Sequence, residues 1–168
     1  MKKLLIVRHA KSSWDDASLR DFDRPLNKRG IRDVPEMGKR LNKLGVKPDL
    51  IVSSPARRAI TTARGIAHEI GYEVADIQEE PDLYHAGAHT IREIVSEVDN
   101  EIETLMIFGH NPGFTDLIAR ISDLNLYNLP TCAACGIVFD FDPWKEILNK
   151  RGKKFYYDYP KSASGSML

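Results

Sequence analysis

Short apolar runs alternate with stretches of helical period along this chain, a pattern that predicts an α/β architecture. Leu4-Leu5-Ile6-Val7 is rich in branched residues and predicts a buried first strand. Ile31, Val34, Met37, Leu41 and Leu44 recur at helical spacing within 26–44, and Gly45 stands where a C-terminal cap is expected. Asp49-Leu50-Ile51-Val52 predicts a second strand. Ser53-Ser54-Pro55 reads as a cap followed by proline in the first turn of a helix whose stripe is Ala59, Ala63, Ile66, Ala67 and Ile70. Gly71 closes it.

The second half repeats the alternation. Tyr72 to Ile77 predicts a weaker strand, and Pro81 to His89 an irregular loop. Ile91, Ile94, Val95 and Val98 mark a helix. Thr104 to Phe108 lacks polar alternation, as a strand covered on both faces does. A turn at Gly109-His110-Asn111-Pro112 leads into a helix from Phe114 to Ile121. Gly136–Phe141 and Lys154–Tyr159 are the last strand candidates, with a hairpin-like turn expected at Asn149-Lys150-Arg151-Gly152. Residues 1–160 read as a single domain and 161–168 as a loose, Ser-rich tail.

Composition narrows the function classes. The 168 residues are 42% hydrophobic and 29% charged, enough apolar side chain for a core without metals or disulfides. Lys plus Arg equals Asp plus Glu at 24 each, so the basic excess of a nucleic-acid or membrane-surface binder is missing. No apolar run reaches 18 residues, and the start is too short for a signal peptide, which predicts a cytoplasmic protein. Cys132-Ala133-Ala134-Cys135 has the spacing of a redox pair or half a zinc site. It stands alone, and two small, semi-buried reduced thiols are the favoured reading.

Candidate chemistry collects where strands end. The first strand runs into Arg8-His9, the second through Ser53-Ser54-Pro55 to Arg57-Arg58, and the strand at 104–108 into Gly109-His110. Open parallel sheets bind ligands beyond the carboxyl ends of their strands. If these three strands are parallel neighbours, two histidines and their arginines face one crevice. Arginine forks match phosphate oxygens, neutral imidazole is a nucleophile, and phosphoryl transfer requires positioning and charge stabilisation. Each residue alone reads equally as a solvated loop group. Arg57 and Arg58 point about 100° apart on a helix, and helical phase does not choose between them.

Three segments carry a family resemblance. Leu4-Leu5-Ile6-Val7-Arg8-His9-Ala10 resembles the Arg-His-Gly signature of the histidine phosphatase superfamily. The stretch from Ser53 to Ala63 resembles its Ser-Ser-Pro-x-x-Arg-Ala-x-x-Thr-Ala motif, and Phe108-Gly109-His110-Asn111-Pro112 its late-histidine motif. The short length, Arg8-His9-Ala10-Lys11-Ser12, Asp23-Arg24-Pro25-Leu26 and Arg29-Gly30 look like the SixA-type phosphohistidine phosphatases. The resemblance implies a phosphoglycerate mutase-like, three-layer αβα sandwich with a mostly parallel central sheet. It also implies that His9 is the nucleophile and that Arg8, Arg58 and His110 complete a phosphate pocket. In the two-step hydrolysis these residues suggest, a protonated His110 and the arginines supply the cationic charge, so no cofactor or metal is expected.

Ser12 corresponds to a substrate-contacting position and Arg24 to a further phosphate contact; a turn residue and a surface ion-pair partner are the competing readings. Ala10 replaces the signature glycine, and the loop 82–87 lacks the glutamate that mutase-like members use as proton donor. Asp82, His85 and His89 are the candidates left. An imidazole leaving group needs less protonation than an alkoxide, so the expected partner is a phosphohistidine protein. The alternatives are a small-phosphoester phosphatase, a non-catalytic phospho-ligand module, and a metal site built from His9, His110 and an acid, which the arginines oppose.

Overall fold

A computed structural model describes residues 1–161; the expected tail, past Lys161, lies outside the described residues. The strands are β1 (Lys2–Arg8), β2 (Leu50–Ser53), β3 (Gln78–Glu79), β4 (Thr104–Gly109), β5 (Ala134–Phe139) and β6 (Lys153–Asp158). The helices are α1 (Lys28–Leu44), α2 (Arg57–Ile70), α3 (Ala88–Ser96) and α4 (Gly113–Ile121). All six strands form one sheet in the order β3-β2-β4-β1-β5-β6. Only β5 runs against the others, pairing antiparallel with both β1 and β6.

The sheet separates two apolar layers, and strand alternation explains how. Leu4 and Ile6 of β1 and Leu105 and Ile107 of β4 join the cluster beneath α3 and α4. Leu5, Val7, Met106 and Phe108 point the other way, into the cluster beneath α1 and α2. Successive side chains on a strand face opposite sides, so an uninterrupted apolar run serves two cores. The expected three-layer αβα sandwich is therefore present. Cys132 falls in one layer and Cys135 in the other. Both thiols are buried and free, in keeping with their reading as packing residues.

Several local expectations are corrected. Residues 72–77 form no strand: Glu73 accepts a hydrogen bond from the Ala75 amide and caps a 3-10 helix at Val74–Asp76, and β3 follows it. Pro55 precedes α2 and does not sit in its first turn. Ala56 occupies the cap position, and the Ser54 hydroxyl accepts from the Ala56 amide instead of capping the helix. Ile31 and Leu44 match the helical period of α1 but are 63% and 48% exposed. The loop expected at 81–89 contains a 3-10 helix at Pro81–Leu83 and the start of α3. Between β5 and β6 a 3-10 helix, Trp144–Leu148, precedes the expected turn because it buries Trp144 completely.

The start of α1 braces the loop after β1. Asn27 caps the helix, its side chain accepting from the Gly30 amide, while the Asn27 amide donates to the Lys11 carbonyl at 3.0 Å. A Cβ on Gly30 would sit 2.2 Å from that carbonyl oxygen. Gly30→Ala must displace the 10–12 backbone, and overpacking of this kind costs about 1–3 kcal/mol. Urea unfolding of Gly30→Ala is expected to show a loss in that range; unchanged stability would mean that the contact yields freely.

Candidate active site

Three neighbouring strand ends converge as their sequence implied. Arg8 pairs in register with Gly109, and Ser53 with Phe108, so β2, β4 and β1 terminate side by side. Helices α1 and α2 cover one face of the sheet and α4 the other. The crevice thus lies at a change of winding direction, the usual ligand position in such folds. A cleft of about 340 Å³ opens there. Arg8, His9, Ser12, Arg24, Arg58, His85 and His110 line it. Asp82 does not: it is exposed, outside the cleft, and its amide is tied to Glu80. His89 is 77% exposed and sits beside Glu93.

The backbone around His9 is held from three directions. Its amide donates to the Gly109 carbonyl, its carbonyl accepts from Cys132, and the next amide, of Ala10, donates to the Thr62 hydroxyl at 2.9 Å. Thr62 in turn donates to the Arg58 carbonyl at 2.8 Å. The threonine of the second motif therefore locks α2 to the nucleophile candidate. On the ring, Nδ1 lies 2.7 Å from the Ala10 carbonyl. A carbonyl only accepts, so Nδ1 carries the proton and the lone pair of neutral His9 is on Nε2.

Arg58, 5% exposed, enters the cleft, whereas exposed Arg57 reaches out to the Asp23 carbonyl. Arg58 is fixed by the Asp21 carbonyl at 2.7 Å and the Asp21 carboxylate at 3.0 Å. Arg8 donates to the Leu129 carbonyl at 2.9 Å, and Arg24 to the Ser12 hydroxyl at 2.8 Å. His110 Nε2 is 2.8 Å from the Ser54 hydroxyl, and the two imidazole centres are 5.2 Å apart. Among the described residues, four buried side-chain polar atoms lack a hydrogen-bond partner; three of them are Arg8 Nε, Arg58 Nε and His110 Nδ1. Buried polar groups are normally satisfied, and this concentration at one cleft fits a site arranged for an oxygen-rich anion.

Sequence reasoning missed the loop partners. Asp21 opens a 3-10 helix (Asp21–Asp23) and ties Arg58, Arg24 and Tyr84 together. Its desolvation works to raise its pKa, but hydrogen bonds from Tyr84 and Arg58 outweigh that and hold the carboxyl well below the usual carboxylate range. Trp14 stacks on Arg24 with the guanidinium carbon 3.6 Å from the ring centre. Only Asp21's spacing of three from Arg24 hinted at this cluster. His85 adopts a positive φ of 61° at the mouth, its ring 3.9 Å from that of Tyr84.

Burial governs the histidines. Desolvation, with smaller contributions from the arginines and from His110, pulls His9 down to about 3. Desolvation followed by Arg58 does the same to His110, also to about 3. Burial therefore favours the neutral form of both rings. Among the described residues no cluster of three His, Cys, Asp or Glu side chains is placed to hold a metal ion, and no helix is long and apolar enough to cross a membrane.

The fold and the cleft define an α/β protein whose neighbouring strand ends bring two imidazoles and three guanidinium groups to one crevice. Residues 4–124 match the model of the histidine phosphatase superfamily (branch 1), and the chain belongs to that family. It is 34% identical over 159 residues to an uncharacterized chloroplastic protein of Arabidopsis thaliana, covering 90% of this chain and 72% of that one. The fold resembles the protein histidine phosphatase SixA complexed with tungstate, with a TM-score of 0.80 at 19% identity, over 94% of this chain and 97% of that one. It also resembles a mycobacterial glucosyl-3-phosphoglycerate phosphatase, with a TM-score of 0.70 at 16% identity, over 92% and 98%. Its α/β fold is phosphoglycerate mutase-like, as expected of this superfamily.

Because folding lowers the pKa of both histidines, the unfolded chain binds more protons between pH 6.5 and about 3. Their contribution to stability is complete above 6.5 and is lost as pH falls toward 3. Imidazole nitrogen shifts are expected to show both rings neutral at pH 5, and the urea unfolding free energy to fall across this window. Rings titrating near 6.5 would contradict the burial argument.

Proposed function

We propose that this protein is a phosphohistidine phosphatase working through a phosphohistidine on His9. The observation that carries the reading is His9 itself: Nδ1 is fixed on the Ala10 carbonyl, which directs the free Nε2 lone pair to a cleft shared with Arg8, Arg58 and His110. Nε2 attacks phosphorus in line and the leaving group departs opposite. Arg8, Arg58 and His110 hold the equatorial oxygens, where transition-state charge is spread. A phosphoryl dianion in the cleft offsets the desolvation that keeps His110 neutral and draws a proton onto it. Water then cleaves the phosphohistidine and releases phosphate. The cationic charge comes from side chains, so this scheme routes no step through a metal.

The leaving group follows from the missing acid. Asp21 is ionised and Asp82 lies outside the cleft. An ester would leave as an alkoxide in need of a proton, and general acids contribute roughly 10²–10⁴-fold. The P–N bond of a phosphorylated histidine on a protein avoids that requirement. The resemblance to SixA structures agrees with this choice. His85, which lines the cleft, is the one group that favours a small-phosphoester substrate instead, since an imidazole can supply the proton a leaving oxygen needs. Ser12 and Arg24 act in this scheme as a linked pair on the substrate side.

His9→Ala is expected to abolish acid-labile, base-stable phosphoenzyme labelling; label persisting in that variant would remove His9 from this role. Arg58→Ala and His110→Ala should each lower kcat/KM by roughly 10²–10³, as loss of one preorganised transition-state donor does. On wild type, kcat/KM should be higher for a phosphohistidine protein than for small phosphomonoesters. The reverse order would make the protein a phosphomonoesterase.

A further inference from the structure

One carboxylate stands among the cations of the cleft, and it has acceptor capacity to spare. Asp21 Oδ2 takes two hydrogen bonds, from Arg58 at 3.0 Å and from the Tyr84 hydroxyl at 2.6 Å. Among the described residues, Oδ1 takes only one, from Arg24 Nε at a long 3.2 Å. Each carboxylate oxygen can accept twice, so Oδ1 keeps a free direction. The side chain is 41% exposed and borders the cleft. A negative charge beside a phosphoryl site repels the ligand unless the ligand also carries a positive, hydrogen-bonding part. Next to it Trp14, 72% exposed and covered on one face by Arg24, offers a flat surface at the mouth.

We propose that Asp21 selects the leaving group: its carboxylate accepts the ring N–H of a phosphorylated imidazole whose other nitrogen carries the phosphoryl group. This inference rests on the phosphohistidine reading above. In a phosphoimidazole protonated on its free nitrogen the ring is cationic. When His9 Nε2 forms its bond to phosphorus, the P–N bond breaks and its electron pair stays on the departing nitrogen. The proton remains on the other nitrogen, and neutral imidazole leaves. No proton is transferred, so the step needs no acid; it needs an acceptor that favours the protonated ring. An ionised carboxylate supplies that and gives no such help to an alkoxide. Trp14 adds an aromatic face for the same flat cation.

The test compares kcat/KM for N-phosphoimidazole and para-nitrophenyl phosphate, whose leaving group needs no proton, in wild type and Asp21→Asn. Both rates fall, because Arg58 loses its charged partner, but the P–N rate is expected to fall at least about tenfold further, a loss within the range for a charge-assisted hydrogen bond. Asp21→Ser should shift the ratio in the same direction, and residual ester turnover reports that each variant is folded. Equal losses on both substrates in both variants would reduce Asp21 to a support for Arg58 and overturn the inference alone. Wild type that hydrolyses the ester but not N-phosphoimidazole would overturn the phosphohistidine reading, and this inference with it.

Discussion

Parallel pairing of β1, β4 and β2 brings three distant stretches of chain to a common edge, and the site depends on the register of that pairing. Arg8 lies opposite Gly109, and Phe108 opposite Ser53. A slip of one residue would shift a strand by about 3.3 Å and turn its side chains to the wrong face. Both faces of β1 and β4 are apolar, so it is the shape of the packing and not polarity that resists a slip, which would exchange the side chains filling the two cores. Core packing and site geometry are thus one constraint. The Ala10–Thr62–Arg58 hydrogen bonds extend it from the sheet to α2.

On this frame the electrostatics are deliberately unbalanced. Desolvation, together with the nearby Arg58 guanidinium, lowers the pKa of Arg8. The imidazoles respond by staying neutral, which preserves a lone pair on His9. Among the described residues lining the cleft, Asp21 is the carboxylate that offsets the guanidinium charge, and it does so from the rim, through the loop that also carries Arg24. The cleft is thus divided between a deep part lined by Arg8, Arg58 and the imidazoles and a rim that carries the carboxylate.

Much of this was legible in the sequence. The three apolar strands and the residues at their ends identified Arg8, His9 and His110, and the motif spacing separated Arg58 from Arg57. The isolated Cys132–Cys135 spacing pointed to two reduced, semi-buried thiols, and both are free and fully buried. What was not legible came from loops. Asp21, Tyr84 and Trp14 lie in segments without period, and they meet only because the 11–24 loop folds back over α2 and the 81–87 segment. Asp82 was put forward from its place in the chain, whereas three-dimensional reach decides which acid borders the cleft. The strand expected at 72–77 failed for a related reason: a local cap from Glu73 prevailed over a weak apolar pattern.

The two thiols carry one last implication. Cys132 and Cys135 sit on opposite sides of a single sheet layer, and burial pushes both thiols up, Cys135 to about 12. Peroxide reacts with thiolates. Neither thiol forms one at physiological pH, neither can reach the other without opening the sheet, and neither borders the cleft. Buried, protonated thiols of this kind are poor targets for peroxide, so this cysteine pair does not serve the folded protein as a redox switch.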